Sequence, residues 1–151
     1  MMARSDRGGR ARSLARKFAM QALYQWQLTG QGYPELLNQY AQDDGFGDAD
    51  REYFEALLKG ATESSEALDA QIGSLVDRPV AQLDPVEHAV LMIGIHELLQ
   101  SHDVPYRVVI NEGVELAKRF GATDGHKFVN AVLDRAARSL RSAEQAAAVR
   151  A

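Results

Sequence analysis

Apolar residues recur every three or four positions between Asp103 and Arg138, which is the spacing of an α-helix with one buried face. The pattern predicts two helices around one tight turn. We expect the first helix to start at Pro105, because proline suits a helix entry. It should end at Gly121, in the left-handed conformation that often closes a helix. Asp124 is placed to cap the second helix.

The segment between Asp84 and Ser101 is apolar around most of its predicted helical circumference. Asp84 is suited to cap this helix, and Pro85 is suited to its first turn. A helix that is apolar on nearly every side is typical of the centre of a core. We therefore expect it to be buried, with Gly94 allowing a neighbouring helix to approach closely.

The first half of the chain predicts four further helices, which are separated by breaks rich in glycine, proline and aspartate. These helices are expected near residues 10–29, 34–42, 50–64 and 65–76. Nothing alternates with period two over a useful length, so no sheet is expected. The predicted fold is all-α, a single domain of about seven helices in two small bundles packed together. The two bundles are expected near residues 10–80 and 84–141.

Charge is distributed unevenly along the chain. Residues 1–17 carry six basic groups and one acidic group, whereas the rest of the chain carries eleven basic and twenty acidic groups. A basic arm on an acidic body favours one defined contact with a polyanion. Residues 1–9 are rich in glycine and arginine and are expected to be disordered, so a merely solvated tail is the alternative. The Ala-rich tail from Ser142 is expected to fray.

The composition excludes several classes of protein. The chain has no cysteine, which excludes disulfides and thiolate metal sites and fits a reducing compartment. No apolar run approaches the roughly 20 residues that are needed to span a bilayer. The basic N-terminus is not followed by an apolar segment, so it does not match a secretory signal. We predict a cytoplasmic protein that makes no contact with a membrane.

The first predicted helix carries polar groups beside its apolar stripe. Lys17 and Tyr24 share a face with Gln21, because their spacing spans two helical turns, and we expect Arg16 on the same side. Such a face suits RNA, since cations neutralise phosphates and an exposed ring can stack on an unpaired base. The alternative is that Tyr24 simply packs at the edge of the core.

The predicted turn between the last two helices carries Asp124, His126, Lys127 and Phe128. These are more functional groups than a helix joint requires, and they again place a cation beside an aromatic ring. The alternative is a solvated cap over a buried Phe128. Our hypothesis is that folding brings this turn and the first helix into one RNA-binding surface.

Motifs typical of catalytic or metal sites are incomplete. His96 and Glu97 begin a near match to the zinc motif H-E-x-x-H, but Gln100 occupies the position of the second histidine. The acidic run 43–50 lacks the alternating ligands and the final glutamate of an EF-hand. No nucleophile elbow or glycine-rich nucleotide loop is present. We predict a protein that is not an enzyme and that needs no cofactor or metal.

Residues 110–134, I-N-E-G-V-E-L-A-K-R-F-G-A-T-D-G-H-K-F-V-N-A-V-L-D, resemble the C-terminal signature of the NusB family of bacterial transcription antitermination factors. The similarity extends to A-L-Y-Q-W-Q-L at residues 22–28 and to D-P-V-E at residues 84–87, whereas residues 31–83 match only in length and helical character. One departure is Gly113, where the family commonly has alanine. A glycine inside a helix costs about 1 kcal/mol relative to alanine.

The resemblance implies a NusB-like fold and a role in transcription antitermination. It implies binding to the boxA element of ribosomal RNA leader transcripts together with NusE, a small-subunit ribosomal protein, in a complex on RNA polymerase. Glu87, in the D-P-V-E motif, is a candidate for the NusE surface. The resemblance and the charge pattern together give the candidate RNA-binding residues, which are Arg7, Arg10, Arg12, Arg16, Lys17, Tyr24, Asp124, Lys127 and Phe128.

Two alternatives to this function stay open. The chain could be a protein-interaction scaffold, including a homodimer that buries the basic face. It could also be a stand-alone relative of the RNA-binding domain that precedes the catalytic domain of some rRNA cytosine methyltransferases. That enzyme requires a catalytic cysteine, which this chain does not contain.

Overall fold

The computed structural model describes the backbone of residues 4–150 and the side chains of residues 8–147. Within these residues the chain forms eight α-helices, two short 3₁₀ turns at Phe46–Asp48 and Val80–Gln82, and no strand. In chain order the α-helices are α1 (Arg4–Thr29), α2 (Tyr33–Ala41), α3 (Arg51–Glu63), α4 (Ser65–Gly73), α5 (Pro85–Gln100), α6 (Tyr106–Phe120), α7 (Gly125–Leu140) and α8 (Ser142–Arg150). The all-α prediction is confirmed. The additional helix is α8, which lies in the tail that was expected to fray.

The chain divides into two compact units between Glu63 and Ser64. The sequence predicted the division between residues 80 and 84. The difference arises because α4 packs against α5, where His88 Nε2 lies 2.6 Å from Asp69 Oδ1. The proline and aspartate residues near position 84 therefore mark the start of a helix rather than a border between units.

Aromatic side chains form much of the core of the first unit. The ring of Phe46 packs edge-on against Phe18 and Phe54, with centroid distances of 5.4 and 5.0 Å. Phe46 belongs to the 3₁₀ turn within the acidic run 43–50, so this run is anchored to the core by its aromatic residue. Asp50 Oδ1 accepts a hydrogen bond from the Tyr53 N–H at 3.0 Å. Asp50 therefore caps the start of α3.

Helix α1 begins at Arg4, earlier than the predicted start near Arg10. The part of the basic arm between residues 4 and 9 is therefore helical, whereas disorder was expected. The rest of that predicted arm, residues 1–3, lies outside the described residues. The predicted end of the helix is confirmed, because α1 stops at Thr29 and Gly30 takes a left-handed conformation with φ 73°.

Helix α5 is the centre of the second unit, as its apolar sequence predicted, and it is buried along most of its length. A Cβ added at Gly94 would lie 2.6 Å from Leu133 Cδ2 on α7. A Cβ added at Gly113 on α6 would lie 2.9 Å from Leu133 Cδ1. Leu133 thus fills a slot between two glycines. The prediction that Gly94 permits close helix approach is confirmed, and Gly113 has the same role.

Side chains form hydrogen bonds with the free backbone groups at both ends of α5. At its start, Asp84 Oδ1 accepts hydrogen bonds from the backbone N–H groups of Val86 and Glu87, at 2.9 and 3.2 Å. This confirms the predicted cap. At its end, Arg141 is 5% exposed and its guanidinium donates to backbone carbonyl oxygens at 2.8–3.1 Å. These carbonyls belong to Glu97, Leu98, Ser101 and Val104.

The first turn of α8 completes this arrangement. Glu144 Oε1 accepts a hydrogen bond from Arg141 Nη1 at 2.6 Å, and Oε2 accepts one from the Tyr106 N–H at 2.9 Å. The carboxylate therefore joins α8 to the start of α6. These long-range contacts explain why a segment without an obvious apolar stripe is helical.

Candidate nucleic-acid interface

One outward face of α1 carries several of the predicted RNA-binding residues. Arg10, Lys17, Tyr24 and Leu28 share this face with Gln21, because successive members are separated by three, four or seven residues. Tyr24 is 39% exposed and Leu28 is 59% exposed. The Tyr24 side chain is therefore partly accessible to solvent, as stacking on a base requires. The side chain of Arg7 lies outside the described residues.

Arg12 and Arg16 lie on a different face of α1. The Arg12 guanidinium stands 4.3 Å from the centre of the Tyr53 ring on α3, and Arg12 Nε is 3.9 Å from Asp50 Oδ2. Arg16 is only 3% exposed, and its guanidinium is 5.4 Å from the same ring. Arg16 was predicted to lie on the outward face of α1. This prediction is wrong, because the Arg16 side chain is buried against α3. Arg16 holds the two helices together in this structure.

The turn between α6 and α7 differs from its prediction in two ways. Gly121 is extended, with φ −87° and ψ 179°, whereas a left-handed residue was expected. Glycine is favoured there because a Cβ would lie 2.8 Å from the Ala117 carbonyl oxygen. The left-handed residue is Asp124, with φ 64°, and its side chain makes no capping hydrogen bond to α7. The predicted capping role of the Asp124 carboxylate is therefore wrong.

Two side chains of the turn, those of Asp124 and Lys127, nevertheless point into solvent. Lys127 Nζ lies 3.3 Å from Asp124 Oδ1, and both side chains are about two-thirds exposed or more, at 72% and 66%. An exposed ion pair of this kind is worth little to stability. The turn therefore presents a cation whose field is partly cancelled by its neighbouring anion.

Phe128 is half-buried and is covered by an arginine that is not among the residues predicted from the sequence. The guanidinium carbon of Arg78, which lies between α4 and α5, is 4.7 Å from the centre of the Phe128 ring. A signal was present in the sequence, because Arg78 is the one basic residue between Lys59 and Arg107. Only the fold places it on the aromatic ring of the turn.

Glu87 is buried behind the same turn, at 6% exposure. Its carboxylate accepts a hydrogen bond from the Ala122 N–H, and Oε2 lies 2.5 Å from where a Cβ on Gly125 would stand. Burial, together with the nearby charge of Asp84, raises the pKa of Glu87, whereas the Ala122 N–H and the charge of Arg78 act in the opposite direction. This environment shows a carboxylate that supports the turn. Its assignment to the NusE surface stays a prediction.

No group of three histidine or acidic side chains in the described part of the chain is arranged to hold a metal ion. Likewise, none of the described helices is both long and apolar enough to cross a bilayer. The candidate residues on α1 and in the α6–α7 turn offer cationic and aromatic side chains.

Comparison with known proteins decides the family. Residues 13–138 match the sequence profile described as the NusB family. This chain belongs to the NusB family. It is 50% identical over 137 residues to the transcription antitermination protein NusB of Hahella chejuensis, a match that covers 91% of this chain and 92% of that protein. It is also 49% identical over 140 residues to the same protein of Paraburkholderia phymatum, covering 93% and 97% of the two chains.

Solved structures of the NusB family share the fold. A crystal structure of the antitermination factors NusB and NusE in complex with dsRNA is similar with a TM-score of 0.72 and 27% identity, covering 91% of this chain and 99% of that chain. A Thermotoga maritima NusB structure gives a TM-score of 0.74 at 27% identity, covering 84% and 90%. In the present chain the NusB signature at residues 110–134 spans most of α6, the turn and more than half of α7. The family resemblance that the sequence suggested is confirmed.

Proposed function

We propose that this chain is a transcription antitermination factor that binds boxA RNA of ribosomal RNA leader transcripts together with NusE. The similarity to antitermination proteins at about half identity over nearly the whole of both chains carries this proposal. A NusB fold has also been solved with NusE and dsRNA. The protein acts in the cytoplasm, by binding rather than by catalysis, and without a cofactor.

The outward face of α1 is one part of the proposed RNA contact. Arg10 and Lys17 supply phosphate contacts there, and Tyr24 supplies a stacking surface. Arg7 is proposed to extend this contact towards the N-terminus. Arg12, whose side chain is 34% exposed, contributes charge from the edge of the α1–α3 packing. Since Arg16 is buried, its contribution to RNA binding is proposed to be indirect, through the position of α1.

The α6–α7 turn is the other part of the proposed contact. Lys127 is its exposed cation and Phe128 is its aromatic residue, whereas Asp124 moderates the charge of Lys127. Our hypothesis that both parts contribute to one RNA surface stays a prediction. Chemical-shift mapping with a short boxA RNA tests it, because perturbations confined to one of the two segments would refute it.

A binding experiment tests the function itself. Affinity for a labelled boxA RNA and for a scrambled RNA is measured with and without NusE, over a series of salt concentrations. We expect preferential binding of boxA, strengthened by NusE. A chain that binds neither RNA nor NusE, but forms a homodimer in solution, would instead support the scaffold alternative.

Variants of the α1 face sharpen this experiment. Tyr24→Ala is expected to cost about 1–3 kcal/mol of RNA binding if a base stacks on the ring, whereas Tyr24→Phe retains stacking and serves as the matched control. Arg10→Ala should reduce the log–log salt slope by about 0.7 for single-stranded RNA. Equal loss in both tyrosine variants would remove stacking from the proposal.

A further inference from the structure

Arg78 lies where three segments of the second unit meet. It belongs to the linker between α4 and α5, and its guanidinium covers the ring of Phe128 at the start of α7. Its charge also acts on the buried carboxylate of Glu87 on α5. The residue as a whole is exposed, so the guanidinium is held by the ring while it still faces solvent.

A second contact holds this linker against α7. Arg135 Nη1 donates a hydrogen bond to the Leu75 carbonyl oxygen at 2.7 Å. Phe128 and Arg135 are seven residues apart, about two helical turns, so they lie on the same side of α7. The linker is therefore fixed to α7 at two points, and Arg78 is placed by the fold rather than by a mobile loop.

We infer that Arg78 is a further RNA-contacting residue and that Phe128 is the platform that positions it, an inference that rests on the proposed function. A guanidinium stacked on an aromatic ring keeps its N–H groups at its edge, where they can donate to phosphate or to a base edge. Stacking also restricts the side chain before binding, so less conformational entropy is lost when RNA arrives.

This arrangement changes the role of Phe128. The ring face that Arg78 covers is not open to a base, whereas the outer plane of the guanidinium is a surface on which an unpaired base can stack. Lys127 precedes Phe128 on the same turn and is exposed. Arg78 and Lys127 then provide two cations at one end of α7, one held by an aromatic ring and one beside Asp124.

The salt dependence of RNA binding tests the role of Arg78. Binding of a labelled boxA RNA is measured with NusE present for the unaltered chain, Arg78→Ala and Arg78→Lys. Arg78→Ala should lower the salt slope by about 0.7, which corresponds to about fivefold weaker binding at 0.1 M salt if the contact is a single phosphate. Arg78→Lys keeps the charge and the slope but loses the planar fork, so its affinity should fall between the other two.

Arg107→Ala is the matched control. Arg107 also lies against a neighbouring aromatic ring, 5.7 Å from the centre of Tyr106, but it is in the first turn of α6, at the opposite end of that helix from the α6–α7 turn. It should leave affinity and slope unchanged. Thermal unfolding of each variant shows whether the fold is retained, and Arg78→Lys keeps the cation over the ring if Arg78→Ala is unstable.

Phe128→Leu separates the platform from direct base stacking. If Phe128 acts through Arg78, the substitution weakens binding in the unaltered chain but adds nothing to Arg78→Ala. An equal loss in both backgrounds would overturn the platform role. Unchanged affinity and slope in Arg78→Ala would overturn the inference while the proposed function stands. An unaltered chain that binds no RNA would overturn both.

Discussion

The carboxylate of Glu87 lies directly against the backbone of Gly125. A Cβ added at Gly125 would stand 2.5 Å from Oε2 and 2.8 Å from Cδ of Glu87. The same carboxylate accepts a hydrogen bond from the Ala122 N–H. A buried acid at the start of α5 therefore determines how closely the α6–α7 turn approaches, and this turn carries several of the proposed RNA contacts.

Gly125→Ala is expected to destabilise the protein by about 1–3 kcal/mol, because the added methyl group overpacks a filled space. The displaced turn should also weaken RNA binding. Urea unfolding measures the first effect and RNA titration the second. Gly47→Ala is the control, since a Cβ at Gly47 would meet no atom within 4 Å. Equal stability of the two variants would contradict the close contact with Glu87.

Glu87 should make stability depend on pH. Its pKa is raised in the folded state from an ordinary value of 4.5, mainly by burial. The folded state therefore binds the proton more tightly, so the associated stability is present below pH 4.5 and is lost as pH rises through the folded pKa. Glu87→Gln removes this dependence and keeps an acceptor for the Ala122 N–H, so its stability relative to the unaltered chain should increase with pH.

Unfolding free energies from pH 4 to pH 8 check this expectation, with the exposed Glu115→Gln as control. A relative stability of Glu87→Gln that does not vary with pH would count against it.

Glu87→Gln is also the appropriate variant for a NusE-binding measurement. Glu87→Lys would place an ammonium in a buried position near Arg78, so a loss of binding could reflect unfolding rather than a lost contact.

Gly94→Ala is expected to destabilise the second unit more than Gly113→Ala. A Cβ at Gly94 would meet three atoms of Leu133 within 3.4 Å, and overpacking costs about 1–3 kcal/mol. A Cβ at Gly113 would meet one Leu133 atom at 2.9 Å and Val90 Cγ1 at 3.4 Å. Alanine recovers about 1 kcal/mol of helix propensity at either position, so the expected difference comes from the closer overlap at Gly94. Denaturant unfolding compares the two. In a Leu133→Ala background the penalty of Gly94→Ala should shrink, because the two sites share one space.

Asp124→Asn is expected to strengthen RNA binding without changing stability. It removes an anion that lies 3.3 Å from Lys127 Nζ, and the Asp124 side chain makes no capping hydrogen bond that could be lost. Asparagine also tolerates the left-handed conformation. The freed cation should increase the salt slope by up to about 0.7. Titrations with several RNA sequences measure the effect.

Asp134→Asn is the control for Asp124→Asn, because Asp134 also forms an exposed ion pair on α7, at 2.8 Å from Arg138. It should change binding less, since it lies away from the turn. A loss of affinity confined to particular bases would show instead that Asp124 reads the RNA sequence.

Arg141→Met is expected to cost at least about 3 kcal/mol, because several buried carbonyl groups lose their donor together. Arg138→Met, which alters an exposed ion pair, should cost about 0–1 kcal/mol. Thermal unfolding compares the two variants.

Burial alone would raise the pKa of Glu144, but hydrogen bonds from Tyr106 and Arg141 lower it. Stability from this contact should therefore be lost as pH falls through that lowered value.

Several elements of the fold were predictable because their signals are local. The cap at Asp84 and the proline after it identify the start of α5 within a few residues, and the all-round apolar pattern places this helix in the core. Helix periodicity likewise predicted α6 and α7. The prediction failed for α8, because its helix depends on Arg141 and Glu144, which contact residues about forty positions earlier in the chain.

The candidate interface was predictable only in part. Side-chain spacing correctly grouped Lys17 with Tyr24 on α1, since a helix converts sequence separation into angle. It could not show that Arg16 is covered by α3, because burial depends on where a second helix lies. In the turn, a left-handed residue was expected at Gly121 and occurs at Asp124. Gly121 is extended instead, and its N–H donates to the Ala117 carbonyl oxygen at 2.9 Å.

By itself, the sequence determined the all-α class, the main helices, the family and the presence of two cationic and aromatic segments, because each follows from local patterns or long ungapped similarity. Tertiary structure decided which charges are surface and which are internal. Arg16, Glu87 and Arg141 are buried, whereas Arg78 is brought onto Phe128 from fifty residues away. The physical reason is that a charge's environment is set by the helices packed around it, and no local pattern encodes those neighbours.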